Sequence, residues 1–229
     1  MRTIRLIFKT VLTGLLLLGT PQLASAQSPK PQTHDEARFE FGGGIGGSFS
    51  PARTIKGQGG SADASLPRGI MGSVWLGHNM YRLVGGEFRY DFETGDYKLK
   101  GNGQEVSFGG RSHSVHYDVL VHFSPLGSKV RPYVLAGGGV KRYEGTGAER
   151  AFQSTLTRIA VLSRTNELQP MMTFGAGVKM NIGRNLNFRV EFRDTLTPFP
   201  GKVILPTTGG SPGGLVHDFT PLAGISYVF

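Results

Sequence analysis

The 229-residue sequence has no cysteine, a single tryptophan and no run of five or six like charges. Without cysteine there can be no disulfide framework, thiolate zinc site, iron–sulfur cluster, thiol nucleophile or lipid-anchor cysteine. No apolar stretch reaches the ~20 residues that a membrane-spanning helix needs, so any membrane residence must be as strands. Acidic residues are outnumbered, 16 against 25 Lys and Arg, but the basic ones are scattered and point to no nucleic-acid partner. What is plentiful is glycine, with 35 residues in no G-X-Y period, which excludes collagen. The 15 Phe and 7 Tyr are too many for a disordered chain.

The first segment reads as an export signal. Arg2, Arg5 and Lys9 form a positive head, Val11 to Gly19 is a short apolar stretch, and Ala24-Ser25-Ala26 supplies small residues for a peptidase. Cleavage is expected between Ala26 and Gln27, making 1–26 a signal peptide. Its removal leaves 22 basic residues against 16 acidic ones, a mild balance. Residues 27–38, polar and carrying Pro29 and Pro31, read as a short flexible leader.

From Phe39 the chain alternates with period two between turn-rich segments, the signature of strands. Leu186, Phe188, Val190 and Phe192 share one face; Asn187, Arg189, Glu191, Arg193 and Thr195 share the other. Charges of both signs opposite bare aromatics suit a barrel that is apolar outside and polar inside. Phe88, Tyr90 and Phe92 oppose Glu87, Arg89, Asp91 and Glu93, and Val115, Tyr117, Val119, Val121 and Phe123 oppose His116, Asp118, Leu120 and His122. Phe174, Ala176, Val178 and Met180 oppose Thr173, Gly175, Gly177 and Lys179. With glycine-heavy stretches at 39–49 and 132–142, a short one at 70–78 and a last one at 216–229, eight strands are expected. The connections alternate long (50–69, 94–110, 143–169, 197–215) and short (79–83, 124–131, 183–185), as in a spanning barrel with short periplasmic turns and longer outer loops. The expectation is an all-β fold over 39–229: an eight-stranded antiparallel up-and-down transmembrane barrel.

The sequence resembles the small eight-stranded outer-membrane barrels, the outer membrane protein beta-barrel domain family. The likeness is carried by Phe39-Glu40-Phe41-Gly42-Gly43-Gly44, by Arg131-Pro132-Tyr133-Val134-Leu135-Ala136-Gly137-Gly138-Gly139 and by the ending Gly224-Ile225-Ser226-Tyr227-Val228-Phe229. That ending is similar to the family's insertion signal, with Ile225, Tyr227 and Phe229 at alternate positions, and implies the barrel-assembly machinery as a partner. The resemblance further implies an address in the cell outer membrane, among its lipid and lipopolysaccharide.

Candidate chemistry is sparse. Gly42-Gly43-Gly44-Ile45-Gly46-Gly47 fits G-x-G-x-x-G, but it lies inside a strand with no helix after it, so packing space in a narrow barrel is the better reading. The inward face collects Glu40, Glu87, Arg89, Asp91, Glu93, His116, Asp118, Lys179, Arg189, Glu191 and Arg193, expected to form a salt-bridged core rather than an ion path. His113, His116 and His122 share a strand, but 113 and 116 face opposite ways, so no metal site is expected. No Ser–His set has a hydrolase spacing. A short helix is expected within 148–164, capping the barrel mouth, and Arg53, Lys56 and Arg68 with Asp63 give the first long loop a slight positive excess, suited to lipopolysaccharide phosphates and equally explained as a few solvated charges. The reading is therefore a monomeric, non-enzymatic barrel without cofactor or metal, structural or surface-interacting through its outer loops. The alternatives are a narrow pore for small solutes and, below it, a lipid-modifying enzyme.

Overall fold

The computed structural model describes residues 39–57, 60–147, 156, 159–207 and 214–229. The expected signal peptide 1–26, its cleavage point at Ala26 and Gln27, and the leader 27–38 lie outside them. The elements are β1 (Phe39–Ser48), β2 (Arg53–Gly57), β3 (Gly60–Asn79), β4 (Val84–Gly101), β5 (Gln104–His122), β6 (Val130–Gly145), β7 (Ala160–Leu162), β8 (Asn166–Asn181), β9 (Leu186–Pro198), β10 (Ile204–Pro206) and β11 (Leu215–Val228). Eight of them, β1, β3, β4, β5, β6, β8, β9 and β11, pair antiparallel with their neighbours, and β11 returns to β1. Phe39 and Phe229 exchange backbone hydrogen bonds at the seam. The result is an up-and-down barrel whose through-strands leave no open edge.

The alternation read from the sequence decides which face each residue takes. Phe88, Val119, Phe174, Val190, Phe192 and Ile225 are exposed on the outer wall, while their neighbours Glu87, Arg89, Asp118, Thr173, Arg189, Glu191 and Ser226 are buried inside. A wall of exposed aromatic and branched side chains is costly in water and natural against hydrocarbon.

One glycine of β1 and one of β11 make room for a large interior side chain. Trp75 on β3 is buried, and its ring lies against Gly42 and Gly224, where an added Cβ would sit 2.5 Å from ring carbons. Within the G-x-G-x-x-G string it is Gly42 that accepts the tryptophan, while Gly44 and Gly46 lie close against the β11 backbone.

The strands run farther than the sequence indicated. β3, β4 and β5 hold 20, 18 and 19 residues, about twice the ~9–11 that a tilted strand needs to cross a bilayer. The expected long loop 94–110 is mostly sheet: β4 continues to Gly101, and β5 begins at Gln104. Asn102 (φ 50°) and Gly103 (φ 74°) close the hairpin in the left-handed region that a two-residue turn demands. The expected loop 50–69 likewise contains β2 paired with the start of β3, and β3 carries a register shift between Ser65 and Arg68. Of the expected helix within 148–164, residues 148–155 and 157–158 lie outside the description. Ala160–Leu162 is a strand instead, paired with Ile204–Pro206, because Ala160 and Leu162 alternate inward and find a partner in the fourth long loop.

That small sheet seals the long-loop end. Leu156, Ile159, Leu162, Val203 and Ile204 pack with Ile55, Leu66, Tyr97, Leu99, Phe108 and Tyr143, which point inward from the extended strands. The interior therefore changes character along its axis, from ion-paired to apolar.

A Gly42→Val substitution drives a branched side chain into Trp75, and an overpacking cost of ~1–3 kcal/mol is expected. Gly43→Val, on the outer wall with its nearest neighbour 3.4 Å away, should leave stability within about 0.5 kcal/mol of the parent. Urea unfolding of the two variants in lipid vesicles tests the difference.

Candidate functional site

The inward residues of β1, β4, β5, β8 and β9 meet across the lumen because each strand brings its polar face to the same axis. They assemble into a chain of alternating charge. Lys179 donates to Glu40 at 2.6 Å; Glu40 accepts from Arg189 at 3.1 Å; Arg189 reaches Glu87 at 2.7 Å. Glu87 accepts from Arg89 at 2.5 Å, and Arg89 donates to Glu191 at 2.9 Å. Glu191 accepts from Arg193 at 2.8 Å, and Arg193 donates to Asp118 at 2.7 Å. His116 closes the line, with Nδ1 3.0 Å from Asp118 and Nε2 2.9 Å from Asp91. Ten of the eleven inward charged or titratable residues named from the sequence stand in this single chain; Glu93 stands apart.

Glu93 belongs to a second cluster nearer the long-loop end. Lys141 donates to it at 2.8 Å and to Asp218 at 2.7 Å, while Ser112 and Ser50 complete the two carboxylates. Lys141 is not among the inward residues expected from the sequence, since the run Gly137-Gly138-Gly139 blurs the alternation of β6. The signal was present in Tyr133, Leu135, Lys141 and Tyr143, all at odd positions and all buried.

Aromatic rings line the chain. The Arg189 and Arg89 guanidiniums lie 4.4 and 4.9 Å from the Trp75 ring centroid. Tyr133 donates to Glu191 at 2.5 Å. Thr173 and Ser73 donate to Asp118 and Asp91 at 2.6 and 2.5 Å.

Such an arrangement holds its charges in place more readily than it performs chemistry. Both ring nitrogens of His116 are held within hydrogen-bond distance of carboxylates, so neither is turned toward a hydroxyl that it could activate. Ser73 and Ser112 donate hydrogen bonds to Asp91 and Glu93. Among the described residues, no group of three or more His, Cys, Asp and Glu is placed to hold a metal ion.

The remaining histidines are divided by the pleat. His122 is buried at the short-turn end, with Nδ1 3.4 Å from the Leu83 carbonyl. His113 lies on the outer wall, 2.7 Å from the Tyr90 hydroxyl and with its ring 5.1 Å from that of Phe92. Ile225, Tyr227 and Phe229 are exposed on the outer wall, and the last two rings stack.

Removing one member of a buried ion pair strands its partner, at a cost of ~3–5 kcal/mol. Arg189→Ala takes one cation from each of Glu40 and Glu87, leaving them only Lys179 and Arg89, and should lower the unfolding free energy by about 3 kcal/mol or more in urea unfolding. An Arg189→Met/Glu87→Gln double variant should recover part of the loss in the same measurement, because one under-neutralised carboxylate is gone.

The family profile described as outer membrane protein beta-barrel domain matches residues 10–209. A comparison with curated protein sequences finds no match. Among solved structures, the outer membrane protein OprG from Pseudomonas aeruginosa is similar over 84% of this chain and 96% of its own, at 13% identity and a TM-score of 0.57. Neisserial surface protein A is similar over 83% of this chain and 97% of its own, at 13% identity and a TM-score of 0.53. The outer membrane protease OmpT from Escherichia coli is similar over 87% of this chain at 9% identity and a TM-score of 0.49. With the closed ring of eight antiparallel through-strands, the family match makes this chain a member of the outer membrane protein beta-barrel domain family, resident in the cell outer membrane.

Proposed function

We propose that this protein is a closed, non-conducting barrel whose role is structural or surface-interacting, exercised through the surface of its long loops. The observation that carries this reading is the doubly filled interior. An eight-stranded barrel is just wide enough for side chains to fill it, and here a chain of ion pairs fills one part. The apolar packing around Leu162, Val203 and Ile204 fills the other. An ion entering the first would have to displace paired charges, and one entering the second would have to shed its water.

The same geometry supports a non-enzymatic role, since the inward His and Ser side chains that could act are engaged with carboxylates. The partners that fit are outer-membrane lipid and lipopolysaccharide around the apolar wall. During insertion, the barrel-assembly machinery would read the exposed alternation of Ile225, Tyr227 and Phe229. The barrel acts as a monomer, since its through-strands complete their hydrogen bonding within one chain.

Refolded protein, checked for heat-dependent gel mobility, should give no discrete conductance steps in a planar bilayer. Arg193→Ala should also stay silent, because the apolar packing beyond it remains. Reproducible steps from the parent protein would overturn the closed reading and make the charged lumen a solute path.

A further inference from the structure

The outer wall does not end where its apolar residues end. On β5 the outward positions run from Val119, Tyr117 and Val115 through His113 to Arg111. On the adjoining β6 they run from Val134, Ala136 and Val140 to Arg142 and Glu144. Register places Val115 opposite Val140, His113 opposite Arg142 and Arg111 opposite Glu144. The charged side chains thus follow the last lipid-facing residues by one or two pleats, on the same face and toward the long loops. On a barrel seated in a bilayer, that level belongs to the headgroups.

At this level there is a cleft of about 370 Å³, lined by Arg111, Arg142, Glu144, Arg164, Thr165 and Asn166. It holds three arginines against one carboxylate. Glu144 accepts a hydrogen bond from Arg111 Nε at 2.6 Å through one oxygen and forms an ion pair with Arg142 Nε at 3.0 Å through the other. It is thereby held ionised, its carboxyl below the ordinary range chiefly through the Arg111 hydrogen bond. One glutamate so fixes two guanidiniums side by side by their Nε edges, while both side chains stay half exposed. The rim is not uniformly basic: on β9 and β11 the outward pair is Asp194 with His217, at 2.8 Å.

We propose that this cleft is a binding site for the phosphorylated headgroup of an outer-leaflet glycolipid, with Arg111 and Arg142 as the phosphate ligands, Arg164 lining the cleft and Glu144 as their positioning residue. Paired, pre-oriented guanidiniums suit the planar, bidentate recognition of a phosphate. Their place on the lipid-facing wall favours a headgroup carried by the membrane over a free anion. The inference rests on the outward orientation of the long loops but not on the lumen being closed.

The test uses the full-length mature protein in nanodiscs, titrated with bisphosphoryl lipid A and with the same lipid stripped of its phosphates. Tighter binding of the phosphorylated form by about tenfold or more is expected, the ratio that one charge-assisted hydrogen bond can supply. R111Q/R142Q should abolish that preference while keeping heat-dependent gel mobility. K98Q/K100Q, which removes the same charge from outward positions on β4, should retain it. An unchanged preference in R111Q/R142Q overturns the site, and so does an equal loss in K98Q/K100Q, which marks diffuse attraction. Displacement of lipid A by millimolar inorganic phosphate overturns the lipid assignment in favour of a free anion. Conductance read on the same preparations keeps failure of this site distinct from failure of the closed-barrel reading.

Discussion

A carboxylate taken out of water is destabilising by several kcal/mol unless cations and hydrogen-bond donors replace the lost hydration. Among the described residues this barrel buries seven of them: Glu40, Glu87, Asp91, Glu93, Asp118, Glu191 and Asp218. Each is met by Arg, Lys or His within the lumen. The strand alternation, the glycine hollows and the position of Trp75 all serve that condition. Shifting one strand by a single residue would turn its charges to the lipid and its aromatics to the ion pairs. Complete pairing therefore specifies the register more strictly than apolar packing could.

The two ends of the interior solve different problems. Within the bilayer span the outer wall must be apolar, so polarity is confined to the lumen and must neutralise itself there. Beyond the span, water lies outside the strands and the ordinary rule of globular proteins returns, with apolar residues turned inward. Tyr97, Leu99 and Phe108 follow Glu93 and Ser112 on the same inward faces of β4 and β5, which marks that change of solvent.

Much of this was legible in the sequence, for physical reasons. In β4, β5 and β9 every second residue contrasts sharply with its neighbours, so both the strand and its inward face could be read. Loop boundaries were less legible. In 94–110 the alternation of Tyr97 and Leu99 against Lys98 and Lys100 persists, but its sense is reversed from that of the bilayer span, so the segment resembles a loop. The Asn102-Gly103 turn was the local signal that it was not. Lys141 was hidden by glycines, which have no side chain to declare a face. The pairing of Ala160–Leu162 with Ile204–Pro206 joins two loops far apart in the chain, and neither three-residue stretch carries a periodic pattern long enough to read. The cleft around Glu144 depended on cross-strand register, which joins Arg111 to a residue 33 positions away.

The seam between β1 and β11 bears on the order of events in folding. Glu40 is contributed by the first strand, and the cations that neutralise it, Lys179 and Arg189, lie 139 and 149 residues later. Contacts of such long range form late, since loop closure must precede them. Until the last strand docks, the nascent sheet has two open edges, and Glu40 waits for its cations. Edge pairing and internal neutralisation are thus completed in one step, so an incomplete chain differs from a finished one in both backbone and charge.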